Sequence, residues 1–273
     1  MRHNSMKLGC LDYNFNYLPF HGSAAKAGTY FFMGLARLGV VKRYRYTSRA
    51  LQKISQLGFS GVQVMCENVR QMSLKPEELS ALCSDLNLEI TSLGGYTNFF
   101  DNSKMGKFKA VIEYAHDAGV KIICTHSGKG RESDVMLENF SSMVDEAAAH
   151  GVTIALENSP LHAVSTLEDV LSVTEAIPNL RLNFDPANFN LSGVDAVNAA
   201  KSLADKIVHV HAKDSIKPFS FPPIGKGEVL WPALINELKK SYEGYLVVEF
   251  EGRGNPLQQT IQDKAYLESL MNK

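Results

Sequence analysis

The sequence predicts an α/β protein built as one (β/α)8 TIM barrel, and three observations carry that prediction. Its 273 residues are close to the length of one such barrel, or of two smaller domains, so length permits the fold without deciding it. From residue 49 onward, short apolar runs alternate with amphipathic stretches at helical spacing. With a run near Lys7 added, eight strands and eight helices are legible. The same alternation also suits an open, doubly wound sheet. No GxGxxG follows the first strand, however, and no GxxxxGKS/T occurs anywhere, which disfavours a nucleotide-binding sheet of that type.

The strand candidates are Lys7 to Cys10, Gly61 to Cys66, Leu88 to Leu93, Lys121 to Thr125, Thr153 to Glu157, Leu180 to Phe184, Ile207 to His211 and Tyr245 to Glu249. Several are apolar on both faces, as strands are when helices cover a parallel sheet. Helices are expected at 49–57, 75–86, 104–118, 134–150, 166–176, 193–205, 230–241 and 257–271. Pro76 falls in a first turn, where its missing N–H costs nothing. Gly58 and Gly151 stand where a helix stops through a left-handed residue. Ser165-Thr166-Leu167-Glu168 has the Ser-x-x-Glu form of a capping box.

One segment breaks the rhythm. Between the first strand and the helix at 49 lie residues 12–48, rich in aromatics and containing a helix-like stretch, Ala24 to Leu38. An insertion after a first strand sits on the C-terminal face of a barrel, where active sites are built. It reads as a lid or substrate wall; a packed insertion or a dimer contact is the alternative. The domain is therefore read as a single unit, 1–273, with a lid-like insertion at 12–48 and room for a homo-oligomer.

Composition narrows the class of partner. Content of 45% hydrophobic and 21% charged residues is that of an ordinary globular chain. Twenty-eight basic against twenty-nine acidic side chains give a formal charge of −1, so there is no global field to gather nucleic acid or anionic membrane. No apolar run approaches the roughly 18 residues of a membrane span. The opening residues lack the apolar core of a secretory signal, and Met6 could be the native start. Cys10, Cys66, Cys83 and Cys124 are far apart with no CxxC, which reads as buried free thiols in a reducing compartment and points to the cytoplasm.

The chemistry concentrates at the ends of the last four strands. They read Leu156-Glu157-Asn158, Phe184-Asp185-Pro186-Ala187-Asn188, His209-Val210-His211-Ala212-Lys213-Asp214 and Val248-Glu249-Phe250-Glu251. Each apolar run closes on a side chain able to bind a metal: Glu157, Asp185, His211 and Glu249. They are 28, 26 and 38 residues apart, about one βα repeat each, so a barrel makes them neighbours on one rim. Three carboxylates and one imidazole suit one divalent ion, Mn2+ or Mg2+ first, with Co2+ or Zn2+ also compatible.

These segments, with Gly225-Lys226-Gly227-Glu228, resemble the xylose isomerase-like barrels, the sugar-phosphate isomerase/epimerase superfamily, from about residue 49 to the C-terminus. The resemblance implies that Glu157, Asp185, His211 and Glu249 are the metal ligands. It also implies, from the ketose 3-epimerase branch, that Glu157 and Glu249 exchange the substrate proton. Asn188 departs from that branch and from the endonuclease IV branch, both of which carry a histidine there. The departure counts against a DNA-repair nuclease, which needs several metals, and suits the inosose dehydratase relatives.

Around this centre, Asn188, His126, Lys213 and His162 are candidate substrate-binding residues. Lys213 would meet a hydroxyl, carboxylate or phosphate; an ion pair with Asp214 is its plain alternative. Lys217 and Lys226 are further phosphate candidates. His209 lies two residues below His211 and reads as a support for it or as a hydrogen-bonded core histidine. His150, just before Gly151, reads as a partner for a helix C-terminus. Gln63 and Glu67, at the second strand, have no assigned role. The whole reads as a metal-dependent isomerase or epimerase of a sugar, sugar phosphate or related polyol. The alternatives are an inosose-type dehydratase on the same site, an endonuclease IV-like nuclease and a non-catalytic sugar-binding barrel.

Overall fold

The computed structural model describes residues 6–15, 44–66, 74–130 and 133–272. Its strands are β1 (Lys7–Leu11), β2 (Gly61–Met65), β3 (Glu89–Gly94), β4 (Ile122–Thr125), β5 (Thr153–Glu157), β6 (Arg181–Phe184), β7 (Ile207–Ala212) and β8 (Tyr245–Val248). They pair in parallel, in chain order, and β8 returns to β1 with Lys7 opposite Tyr245 and Gly9 opposite Val247, so the sheet closes. The helices are α1 (Tyr44–Gln56), α2 (Pro76–Asp85), α3 (Met105–Asp117), α4 (Ser133–Ala149), α5 (Leu167–Ala176), α6 (Pro186–Leu191), α7 (Ala196–Ser202), α8 (Trp231–Leu238) and α9 (Pro256–Met271).

The local signals act as expected, with two corrections. Gly58 and Gly151 take φ of +74° and +66° after α1 and α4, and Pro76 opens α2. The capping box before α5 is one residue further on: the Thr166 hydroxyl accepts from Asp169 N–H, and the Asp169 carboxylate accepts from Thr166 N–H. Asp is as able as Glu to close that reciprocal pair, so the first Ser-x-x-Glu in the string is not the one used. The helix expected at 193–205 forms over the shorter span Ala196–Ser202, and an additional short helix precedes it, because Asp185-Pro186 starts a helix directly at the strand end. Asp185 caps it, accepting Asn188 N–H at 2.9 Å, and Pro186 supplies its first turn.

The insertion read at 12–48 is described only at its ends. Residues 12–15 form a 3-10 turn, and Tyr44 to Ser48 belong to α1, which starts earlier than expected. The helix-like stretch Ala24 to Leu38, and Glu67, lie outside the described residues. No helix among the described residues is long and apolar enough to cross a membrane. All four cysteines are buried and free.

The apolar core lies between sheet and helices, where Phe99 stacks on Phe140 at 3.6 Å between ring centroids. Each such buried side chain contributes about 1.5–3 kcal/mol relative to exposure. The barrel interior is different. Leu11, Tyr245 and Val247 form a small apolar cluster, and around it Gln63, Ser92, Asn183, His209 and His211 make the interior polar. Buried polar groups persist only when hydrogen-bonded or given a function, so this composition marks the functional end of the barrel.

One buried acid outside that centre carries a stability prediction. Asp263 on α9 accepts Ile224 N–H at 2.7 Å, and burial, with the Asp214 charge nearby, pushes its carboxyl up to about 7. The folded chain therefore keeps a proton there that the unfolded chain has shed, and stability falls as pH rises from about 4 through 7. Asp263→Asn keeps the acceptor oxygen and removes that dependence. At pH 8 it is expected to melt at least about 2 °C above wild type, with the gain shrinking toward pH 4. An equal gain at both pH values in a thermal melt would contradict this assignment.

Candidate metal centre

Glu157, Asp185, His211 and Glu249 meet at the C-terminal mouth of the barrel, from the ends of β5 to β8. One donor atom from each lies within 4.8 Å of all the others. Their convergence follows from strand spacing alone: the last inward-facing position of each strand is the one nearest its neighbours on the rim. His211 presents Nδ1 to this cluster, 3.1 Å from Glu249 Oε2 and 3.6 Å from Glu157 Oε2.

Each carboxylate has its own environment. Glu157 Oε1 accepts from Asn188 Nδ2 at 3.1 Å, and its Oε2 accepts from the Tyr96 hydroxyl at 2.7 Å and Asn183 Nδ2 at 3.2 Å. Asp185 spends Oδ1 on capping α6, and its Oδ2 lies 3.0 Å from Lys213 Nζ. Glu249 Oε2 lies 3.1 Å from the same ammonium, which also donates to Glu251 at 2.8 Å. Lys213 is 4% exposed, so its partners are metal-ligand candidates and Glu251, not Asp214. Asp214 instead accepts N–H bonds from Ser215, Gly225, Gly227 and Val229. That is what the Gly225-Lys226-Gly227 string is for: Gly225 sits at φ +82°, and a Cβ at Gly227 would fall on Asp214 Oδ1.

The electrostatics follow from packing opposite charges out of water. Burial pushes Glu157 and Glu249 up, but His211 and Lys213 outweigh it and hold both carboxyls below the usual range. Asp185, more deeply buried, is pushed up to about 7 despite Lys213. Burial opposes the charge on His211 and on Lys213 too, yet the carboxylates raise both well above their ordinary values. Three carboxylates crowd against one buried ammonium and one imidazole, an acid-rich pocket whose mutual repulsion a divalent cation would relieve. Asp185 Oδ2, Glu249 Oε2 and His211 Nδ1 are also buried, and their close partners are ion-pair contacts of 3.0–3.1 Å with Lys213 and with one another. Buried donors that converge on one point could hold a cation, and an oxygen-rich set of this kind suits a hard divalent ion.

The candidate substrate-binding residues are distributed around Glu157. His126 stacks on His162 at 3.6 Å and lies against Tyr96, whose hydroxyl reaches Glu157. Burial lowers the pKa of both histidines, to about 4 for His162, so the pair is a neutral aromatic wall at neutral pH. Asn188 has both Nδ2 protons engaged, with Glu157 and Asn158 O, which leaves its oxygen for any ligand. His209 is a support: it bonds Ser92 and Asn183 below the centre. His150 accepts the expected role near a helix end, bonding Glu146 O at 2.9 Å. Lys217 and Lys226 make no contact with the four-residue cluster among the described interactions.

Tyr96, Asn183, Asn158 and Glu251 complete the centre and were not anticipated. Tyr96 and Asn158 lie just past strand ends, where no periodicity distinguishes them. Asn183 stands between Leu182 and Phe184 as the buried polar residue of β6, which is the signal that could find it.

The sequence matches the xylose isomerase-like TIM barrel family over residues 51–270. The chain belongs to that family. Among xylose isomerase-like relatives, an inosose dehydratase of Mesomycoplasma hyopneumoniae is 23% identical over 270 residues, covering 82% of this chain and 88% of that protein. A probable 3-DHS dehydratase from Bacillus anthracis superposes with a TM-score of 0.75 at 18% identity, over 96% of this chain and 99% of the other. A 3-keto-D-glucoside 4-epimerase from E. coli gives 0.68 at 22% identity, over 81% and 94%. At these identities the solved structures establish the shared barrel.

Proposed function

We propose that this chain is a divalent-metal-dependent enzyme that moves a proton next to a carbonyl on a sugar, sugar phosphate or related polyol, giving isomerisation or epimerisation. The observation that carries the reading is the convergence of Glu157, Asp185, His211 and Glu249, with three buried donor atoms, at the mouth of a barrel. Mn2+ or Mg2+ fits the donors best, held by those four residues. When bound, such an ion stabilises the negative oxygens of an enediolate.

The chain's own residues supply the remaining parts. Glu157 and Glu249 are ionised carboxylates on either side of the centre; one takes the substrate proton and the other returns it. Asn188, Tyr96 and Asn183 hold Glu157 in one orientation, so little reorganisation accompanies transfer. Lys213 offers charge next to a substrate oxygen, and the His126–His162 stack offers a flat neutral wall for a ring. Among the described residues this is the one cluster of its kind, which favours a single-ion centre over a multi-metal nuclease.

A dehydratase is the second reading, favoured by the inosose dehydratase and 3-DHS dehydratase relatives. It uses the same proton abstraction, followed by loss of hydroxide. Both readings are tested by a screen of ketoses, phosphorylated ketoses and inososes with Mn2+-loaded protein in deuterated water. A product isomeric with its substrate and carrying deuterium supports the first reading, a product lighter by one water supports the second, and a Mn2+-loaded protein that yields neither product from any of these substrates contradicts both.

A further inference from the structure

We propose that Gln63 is the residue that commits His211 to the tautomer able to bind a metal, an inference that rests on the metal reading above. The hydrogen-bond directions inside the barrel follow from which groups can only accept. A carboxylate only accepts, so Asn183 turns Nδ2 toward Glu157 Oε2 and Oδ1 toward His209. His209 therefore donates from Nδ1 at 3.0 Å, and its Nε2 takes the Ser92 hydroxyl, also at 3.0 Å.

That chain of assignments leaves a conflict at His211. Asn183 Nδ2 is also 3.1 Å from His211 Nε2, and a donor at that position favours a bare Nε2 with the proton on Nδ1. Nδ1 is the nitrogen that faces Glu249 and Glu157, and a protonated Nδ1 cannot ligate. Gln63 Oε1 stands 2.9 Å from the same Nε2. A carbonyl oxygen only accepts, so this contact holds a proton on Nε2, and Nδ1 is then the nitrogen that gives up its proton when a cation binds. The reversed amide would surround Nε2 with two donors and drive the proton onto the ligating nitrogen. In offering its oxygen, Gln63 keeps a buried Nε2 group with no hydrogen-bond partner. A wholly buried amide that leaves its own donor unpaired is not explained by packing stability, since an apolar side chain would avoid that cost.

The test is a Mn2+ titration of the full chain, read from the EPR signal of free ion, for wild type, Gln63→Met and Gln63→Glu. Met preserves length and bulk without the acceptor; Glu restores an acceptor oxygen. Gln63→Met is expected to weaken Mn2+ binding about 10–100-fold at unchanged secondary structure, and Gln63→Glu to stay within about threefold of wild type or to tighten it. In the Co2+-loaded protein, the His211 Nε2–H should give a shifted, solvent-exchangeable proton resonance in wild type and Gln63→Glu that broadens away in Gln63→Met. A tight wild type matched by Gln63→Met in both readouts overturns the role of Gln63, as does a Gln63→Glu as weak as Gln63→Met. A wild type that binds no Mn2+ overturns the metal reading itself.

Discussion

Glu157→Gln is expected to lower turnover of the true substrate by about 10²–10⁴-fold, the range a positioned general acid or base contributes. The substitution is nearly isosteric, so the effect is chemical. The carboxylate now accepts from three neutral donors, Asn188, Tyr96 and Asn183. A carboxamide has one acceptor oxygen, cannot take a proton at neutral pH, and turns an N–H toward one of those donors. It also removes one of the three negative charges at the centre. Assays at saturating Mn2+ separate that loss of affinity from the loss of proton transfer. Solvent-deuterium incorporation should fall in step with turnover; a Glu157→Gln protein that exchanges deuterium at the wild-type rate would show that Glu157 does not carry the proton.

Asp185→Asn is expected to cost at least about 100-fold in Mn2+ affinity, more than the loss of an outer partner typically costs. Asp185 does two jobs with two oxygens. Oδ1 caps α6, and Oδ2 is paired with Lys213 at 3.0 Å and faces the other ligand candidates. Asn is as good a helix cap as Asp, so the variant keeps the first job and loses the anionic donor of the second. The broken pair with Lys213 lowers the melting temperature of the metal-free protein, and added metal no longer raises it. Titration calorimetry with Mn2+, paired with thermal melts with and without the ion, reads both effects. Undiminished affinity, or a melting temperature that metal still raises as in wild type, would remove Asp185 from the ligand set.

Much of this centre was legible in the sequence because a parallel barrel turns linear spacing into adjacency. A ligand at the end of each of four consecutive strands needs no local motif; the βα repeat brings them together. The same logic explains what was not legible. Tyr96 reaches Glu157 from the loop after β3, and no spacing rule ties a loop tyrosine to a carboxylate 61 residues away. Lys213 reads in sequence as adjacent to Asp214, but just past the end of β7 the two side chains part: the ammonium meets Asp185, Glu249 and Glu251 while Asp214 binds a loop. The short α6 is not legible because Asp185 also reads as a strand end, although Asp-Pro is the start signal of a helix. One residue serving both purposes is what fixes the ligand at the rim.

The most direct test of the account is a crystal structure of the full chain soaked in Mn2+, with anomalous scattering collected for the ion. The account predicts one peak per chain, within about 2.0–2.4 Å of carboxylate oxygens from Glu157, Asp185 and Glu249 and of His211 Nδ1. An empty centre at full Mn2+ loading, or an ion held elsewhere with Asp185 and Glu249 still paired to Lys213, would contradict it.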